Sequence, residues 1–137
     1  MKIFLDANVL LAVLNKEYPL FSYASRILSA ADRKDFQIFT SPICLAIAFF
    51  FAEKKSGATL AGKKIALLVS HIQVAPTNSE AVLNTISNNK IVDFEDGLEY
   101  YSAIESGCHA IVTVDQGDFY FSEIEVLNCL EYMEKYL

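Results

Sequence analysis

The sequence predicts an α/β fold in three layers, α/β/α, around a mostly parallel central sheet of about five strands. Three observations carry this. Short apolar segments of strand length recur along the chain and alternate with stretches of helical apolar spacing. Several junctions hold residues that start or stop helices, such as Ser41-Pro42 and Ser56-Gly57. The 137 residues, 53% of them hydrophobic, contain no repeat, linker or low-complexity tract, which gives a single domain over residues 1–137.

Taken in order, Lys2–Asp6 is a short apolar strand ending in an acid, and Ala7–Leu14 continues at helical spacing. Tyr18-Pro19 marks a turn, and Ser22–Ala31 reads as a helix with Tyr23, Ile27 and Leu28 inward. Gln37–Thr40 is the second strand. Ser41 caps the next helix and Pro42 opens it. That helix, Ile43–Lys55, is apolar almost all round, which predicts burial between layers. Thr59–Ser70 is a further helix and Ile72–Ala75 the third strand. Glu80–Asn88 is a helix with Val82, Leu83 and Ile86 inward. Then follow a helix at Phe94–Ser106, a strand at Ala110–Val114, a strand at Glu125–Asn128 and a closing helix at Leu130–Leu137.

Composition removes several classes of function. No apolar run reaches the roughly 18–20 residues of a membrane span, and no signal peptide is read at the N-terminus. Cys44, Cys108 and Cys129 lack CxxC spacing and are odd in number, which argues for a reducing, cytoplasmic compartment and for three small core residues. The net charge of −6 is uneven: residues 54–79 hold four lysines and no acid, whereas residues 91–137 hold eleven acids against Lys135 alone. The total disfavours nonspecific nucleic-acid binding. Lys54 and Lys55 are either a path along which a polyanion could approach the acids or part of a solvated surface.

The acids sit at particular places. Asp6 ends the first strand, with Asn8 two residues on. Asp93, Glu95 and Asp96 open the helix at Phe94, and Glu99 follows one turn later. Asp115 ends the strand AIVTV, with Thr113 before it and Asp118 after. Each has an ordinary reading: Asp6 and Asn8 as helix caps, Asp93 and Asp96 as a capping box, Asp115 as a turn former. As a set they stand at the rim above the carboxyl ends of parallel strands, where such folds bind ligands. Carboxylates gathered there repel by roughly 3 kcal/mol per pair at about 5 Å, and a hard cation with oxygen ligands relieves that repulsion. His71 and His109 are isolated, with no ligand spacing. Phe119, Tyr120 and Phe121 either pack or stack on a base.

FLDANVLL, then TSP at a helix start, then DFEDGLEYYSAIESGCHAIVTVDQGDF, together resemble the PIN-domain family over essentially the whole chain. The resemblance implies an acid cluster that binds Mg²⁺ or Mn²⁺ and hydrolyses RNA phosphodiester bonds. It also implies the toxin half of a toxin–antitoxin pair, forming homodimers and silenced by a small antitoxin protein. Carried over by position, Asp6, Asp96 and Asp115 are the catalytic and metal-binding acids and Asp118 an accessory metal ligand. Asn8, Asp93 and Thr113 are supports; Glu99 joins them from its place one turn beyond Asp96, and the charge distribution, not the resemblance, makes Lys54 and Lys55 the substrate-binding candidates.

One departure stands out. The family places a glutamate on the helix after TSP, and Ile47 occupies that position here. Glu99, one turn beyond Asp96, is placed to compensate in part. The alternative reading is therefore a PIN domain with weakened or lost catalysis, acting as an RNA- or protein-binding module. Haloacid-dehalogenase-type phosphatases also begin with a strand-end Asp, but their chemistry wants a second Asp two residues on, where this chain has Asn8.

Overall fold

The structure, a computed structural model, describes residues 1–137. Its strands are β1 (Lys2–Leu5), β2 (Gln37–Thr40), β3 (Gln73–Val74), β4 (Ala110–Val112) and β5 (Glu125–Leu127). Its helices are α1 (Ala7–Leu14), α2 (Leu20–Ser29), α3 (Pro42–Ser56), α4 (Ala58–Val69), α5 (Ser79–Ser87), α6 (Phe94–Glu105) and α7 (Cys129–Tyr136). Short 3-10 turns follow α2 (Ala30–Asp32) and β4 (Gln116–Phe119).

The strands form one sheet in the order β3-β2-β1-β4-β5, and every pairing is parallel. Parallel neighbours need crossovers, which covers both faces and makes the central strands apolar throughout. Ile3, Phe4, Leu5, Ile38, Ile111 and Val112 are accordingly buried. On the flanks α1 packs on α2 and α3, α3 on α4 and α2 on α7, while α5 and α6 pack together as a second group.

The chain runs outward from β1 through β2 to β3, then returns to the other side of β1 for β4. The connections after β1 and β4 therefore part in opposite directions, opening a crevice at their carboxyl ends. The register carries the acids into it. Leu5 pairs with Val112, so Asp6 and Thr113 are the next residues on adjacent strands. Asp6 N still donates to Val112 O at 3.1 Å, and Thr113 N to Leu127 O at 3.0 Å.

Three expectations need correction. The helix over Ile43–Lys55 is not buried all round: Phe50 and Phe51 are exposed, and only Cys44, Ala48 and Ala52 are fully inside. Leu83 and Ile86 do not face inward either; they are 61% and 68% exposed. Ala81 and Thr85 form the contact face of α5, because small residues let it approach α6 closely. Finally, Asp93 and Asp96 make no capping box. Asp93 caps α6 through Glu95 N at 3.0 Å, and the reciprocal capping box occurs instead at Asn128 and Glu131 on α7.

Candidate active site and metal centre

Asp6 lies at the centre. As the residue between β1 and α1 it is both strand end and helix cap, and it is 8% exposed. Its Oδ1 accepts from Ala7 N at 2.7 Å. Its Oδ2 accepts from Thr113 Oγ1 at 2.7 Å. Thr113 is fully buried, and its hydroxyl oxygen also accepts from Asp115 N at 3.0 Å. Asn8, on the first turn of α1, donates Nδ2 to Asp115 Oδ2 at 3.0 Å. One short network thus fixes Asp6 against Asp115, with Thr113 and Asn8 as the supports the sequence suggests.

Helix α6 brings the other carboxylates. With Asp93 occupied as the cap, Asp96 on the first turn keeps its side chain free and half-buried. Burial, then the charges of Asp93, Asp118, Asp6 and Glu95, push its pKa up to about 7. The Asp118 carboxyl is raised as well, by desolvation and then by Asp115, Asp6 and Asp93. These mutual shifts mean that the acids share one field. They come from β1, from α6 and from the segment after β4.

Glu99 goes deeper. It stands one turn after Asp96, points inward and is 2% exposed, and its Oε2 has no hydrogen-bond partner. Burial, then the Asp6 charge, push its pKa up to about 10. Cys44 faces it from the first turn of α3. Ser41, at the end of β2, caps that helix by accepting from Cys44 N at 3.2 Å, which holds the thiol in place. Cys44 Sγ is 4.0 Å from Asp6 Oδ1, and the ligand atoms of Asp6, Cys44 and Glu99 all lie within 4.8 Å of one another. Burial and the Glu99 and Asp6 charges raise the Cys44 thiol well above its ordinary range.

The closest-packed donors are therefore Asp6, Cys44 and Glu99, with Asp96, Asp115 and Asp118 around them at wider spacing. Wider spacing suits Mg²⁺ or Mn²⁺, since a hydrated ion reaches some carboxylates through its own waters. The orphaned Glu99 Oε2 and the oxygen-rich donor set fit a divalent cation. Ile47 packs against the core, so α3 contributes no carboxylate.

Sequence reasoning missed Cys44, which reads as one of three core cysteines and is one by burial. Its position three residues after the Ser41 cap, at the end of the strand beside β1, is the only signal that it faces the acids. Lys54 and Lys55 are not brought to the site. They lie ten residues or more along α3 from Cys44, roughly 15 Å at helical rise. Lys54 Nζ sits 4.2 Å from the centre of the Phe50 ring, and Lys55 Nζ donates to Asn15 O at 2.9 Å. Phe119 and Phe121 are buried, and Tyr120 is exposed. The largest cavity, about 480 Å³, lies between α1, α2 and α4 and is lined by Val13, Leu14, Phe21, Leu28 and Leu67; none of the clustered acids borders it.

The family description "PIN domain" matches residues 2–117. The chain belongs to the PIN-domain family. This PIN domain is 25% identical to Ribonuclease VapC1 of Aquifex aeolicus strain VF5 over 138 residues, covering 98% of this chain and 95% of the relative. Among solved structures it resembles VapBC-1 of nontypeable Haemophilus influenzae, with a TM-score of 0.74 at 17% identity over 95% of this chain and 99% of that one. It also resembles VapBC2 of Rickettsia felis, bound to a DNA fragment from its promoter, with a TM-score of 0.72 at 19% identity over 93% and 98% of the two chains. VapC20 of Mycobacterium tuberculosis, a Sarcin-Ricin loop cleaving toxin, gives a TM-score of 0.63 at 16% identity over 80% of this chain and 86% of that one. These likenesses show the fold that the sequence predicts.

Proposed function

We propose that this PIN domain is a metal-dependent endoribonuclease, acting as the toxin of a toxin–antitoxin pair. The observation that carries the proposal is the convergence of Asp6, Asp96 and Asp115 at one crevice, in a chain related to a ribonuclease over nearly its full length. When bound, Mg²⁺ or Mn²⁺ supplies Lewis acidity, acidifying water and offsetting charge on the scissile phosphate. Asp6, held by Thr113 and Ala7 N, is the fixed ligand. Asp115, oriented by Asn8, and Asp118 extend the ligand set toward solvent. Asp96, whose side chain is left free because Asp93 caps the helix, orients the attacking water. The cut leaves a 5′-phosphate.

Two of the similar structures are VapBC assemblies, which supports a small antitoxin as partner. The apolar cavity between α1, α2 and α4 offers such a partner a place to dock. A homodimer would cover the outward Phe50, Phe51, Leu83 and Ile86. The test is incubation of structured RNA with purified protein, with and without Mn²⁺. Wild type is expected to cut only with the ion, and Asp96→Asn not at all. Identical RNA profiles for the two proteins would instead favour a binding module, the reading motivated by the missing α3 carboxylate.

A further inference from the structure

We propose that Asp6, Cys44 and Glu99 form an inner, buried site for a divalent transition metal, held by two carboxylates and one thiolate. It rests on the nuclease reading only in that Asp6 serves both the inner set and the outer acids.

Three separate elements meet here: the end of β1, the first turn of α3 and the second turn of α6. Their ligand atoms already lie within 4.8 Å of one another. A tetrahedral ion with metal–oxygen bonds of about 2.1 Å and a metal–sulfur bond of about 2.3 Å needs separations of roughly 3.5 Å, a closure of about 1 Å from the present spacing.

The second observation is Glu99 Oε2, buried and without a partner. A buried carboxyl is neutralised by a proton, paired with a cation or bound to a metal. No lysine or arginine answers Glu99: the ion pairs of the chain are Arg33–Asp35 and Lys135–Glu125, both on the surface. A cation that displaces the Glu99 proton would give this oxygen the partner it is without.

The thiol sets the class of ion. Sulfur ligands select borderline metals such as Zn²⁺ or Co²⁺ over Mg²⁺, which prefers an all-oxygen shell. Glu99 also restores, from α6, the carboxylate that α3 loses at Ile47. The departure from the family pattern is thus answered within the same pocket by a different pair of side chains.

The probe is Co²⁺ added to the metal-free protein, followed by absorption spectroscopy. Wild type is expected to take up one equivalent with a near-ultraviolet thiolate-to-cobalt charge-transfer band. Cys44→Ser should lose the band, while the double variant Cys108→Ser/Cys129→Ser, which leaves Cys44 as the only thiol, should keep it. Glu99→Gln, neutral and of the same shape, should weaken Co²⁺ binding at least about tenfold. Asp96→Asn, outside the trio, should keep the band although RNA cleavage is lost. Co²⁺ uptake without the band, or a band that survives Cys44→Ser, overturns the proposal, as does unchanged affinity in Glu99→Gln. A band in wild type with RNA left intact refutes the nuclease reading alone.

Discussion

Thr113 holds two acids at once, donating to Asp6 and accepting from the backbone of Asp115. Thr113→Val keeps the shape and removes both bonds, leaving a buried carboxylate oxygen short of a donor. It should cost about 1–3 kcal/mol in urea unfolding and also weaken Mn²⁺ binding, because Asp6 loses its orientation. Asp96 supplies a pH test. Its pKa is raised from the ordinary 3.8 to about 7, so the folded protein holds a proton there that the unfolded chain has released. That contribution to stability is complete below 3.8 and is lost as pH rises through about 7. The melting temperature of the metal-free protein should therefore fall over this window. Asp96→Asn should flatten the fall, and in wild type added Mn²⁺ should restore stability at the alkaline end. A wild-type profile that climbs with pH would contradict the crowding of carboxylates at this rim.

Helix α6, which carries Asp96 and Glu99, lies close against α5, and Gly97 permits it. A Cβ at Gly97 would stand 2.4 Å from Thr85 Cγ2 and 3.1 Å from Ile91 Cδ1. Helix propensity alone says that Gly97→Ala stabilises by about 1 kcal/mol. Overpacking says that it destabilises by about 1–3 kcal/mol, and the contact distances make that the winning effect. The expected result is a lower denaturation midpoint together with weaker metal binding, since the helix bearing two ligands is pushed outward. At this scale the alternation of strand and helix was legible in the sequence because caps such as Ser41 and Asp93 and the runs IFL and AIV are local signals. The site was less legible. Asp6, Asp96 and Asp115 announce themselves at element ends, whereas Cys44 looks like any core cysteine until β2 is known to lie beside β1. Leu83 and Ile86 misled because apolar spacing marks a face without saying what covers it, and Thr85 on the true contact face is polar.

Across the whole molecule, β1 sits between β2 and β4, and this order turns scattered acids into one site. Residues 107 apart, such as Asp6 and Thr113, meet because the chain switches direction across the sheet after β3. The lysines of α3 stay with the far end of that helix, so under the proposed function RNA would be held through the cation and the rim, not through a basic groove beside the acids. Binding of RNA in a mobility shift should accordingly need the divalent ion even with cleavage disabled by Asp96→Asn. The most direct test of the whole account is a calorimetric titration of Mn²⁺ into metal-free wild type and into Asp6→Asn. Asn caps a helix as well as Asp does, so the substitution spares α1 while it removes the charge and the acceptor that faces Thr113. Wild type is expected to bind, with a loss of at least about tenfold in Asp6→Asn. Equal affinity in the two proteins, or no binding by either, would contradict it.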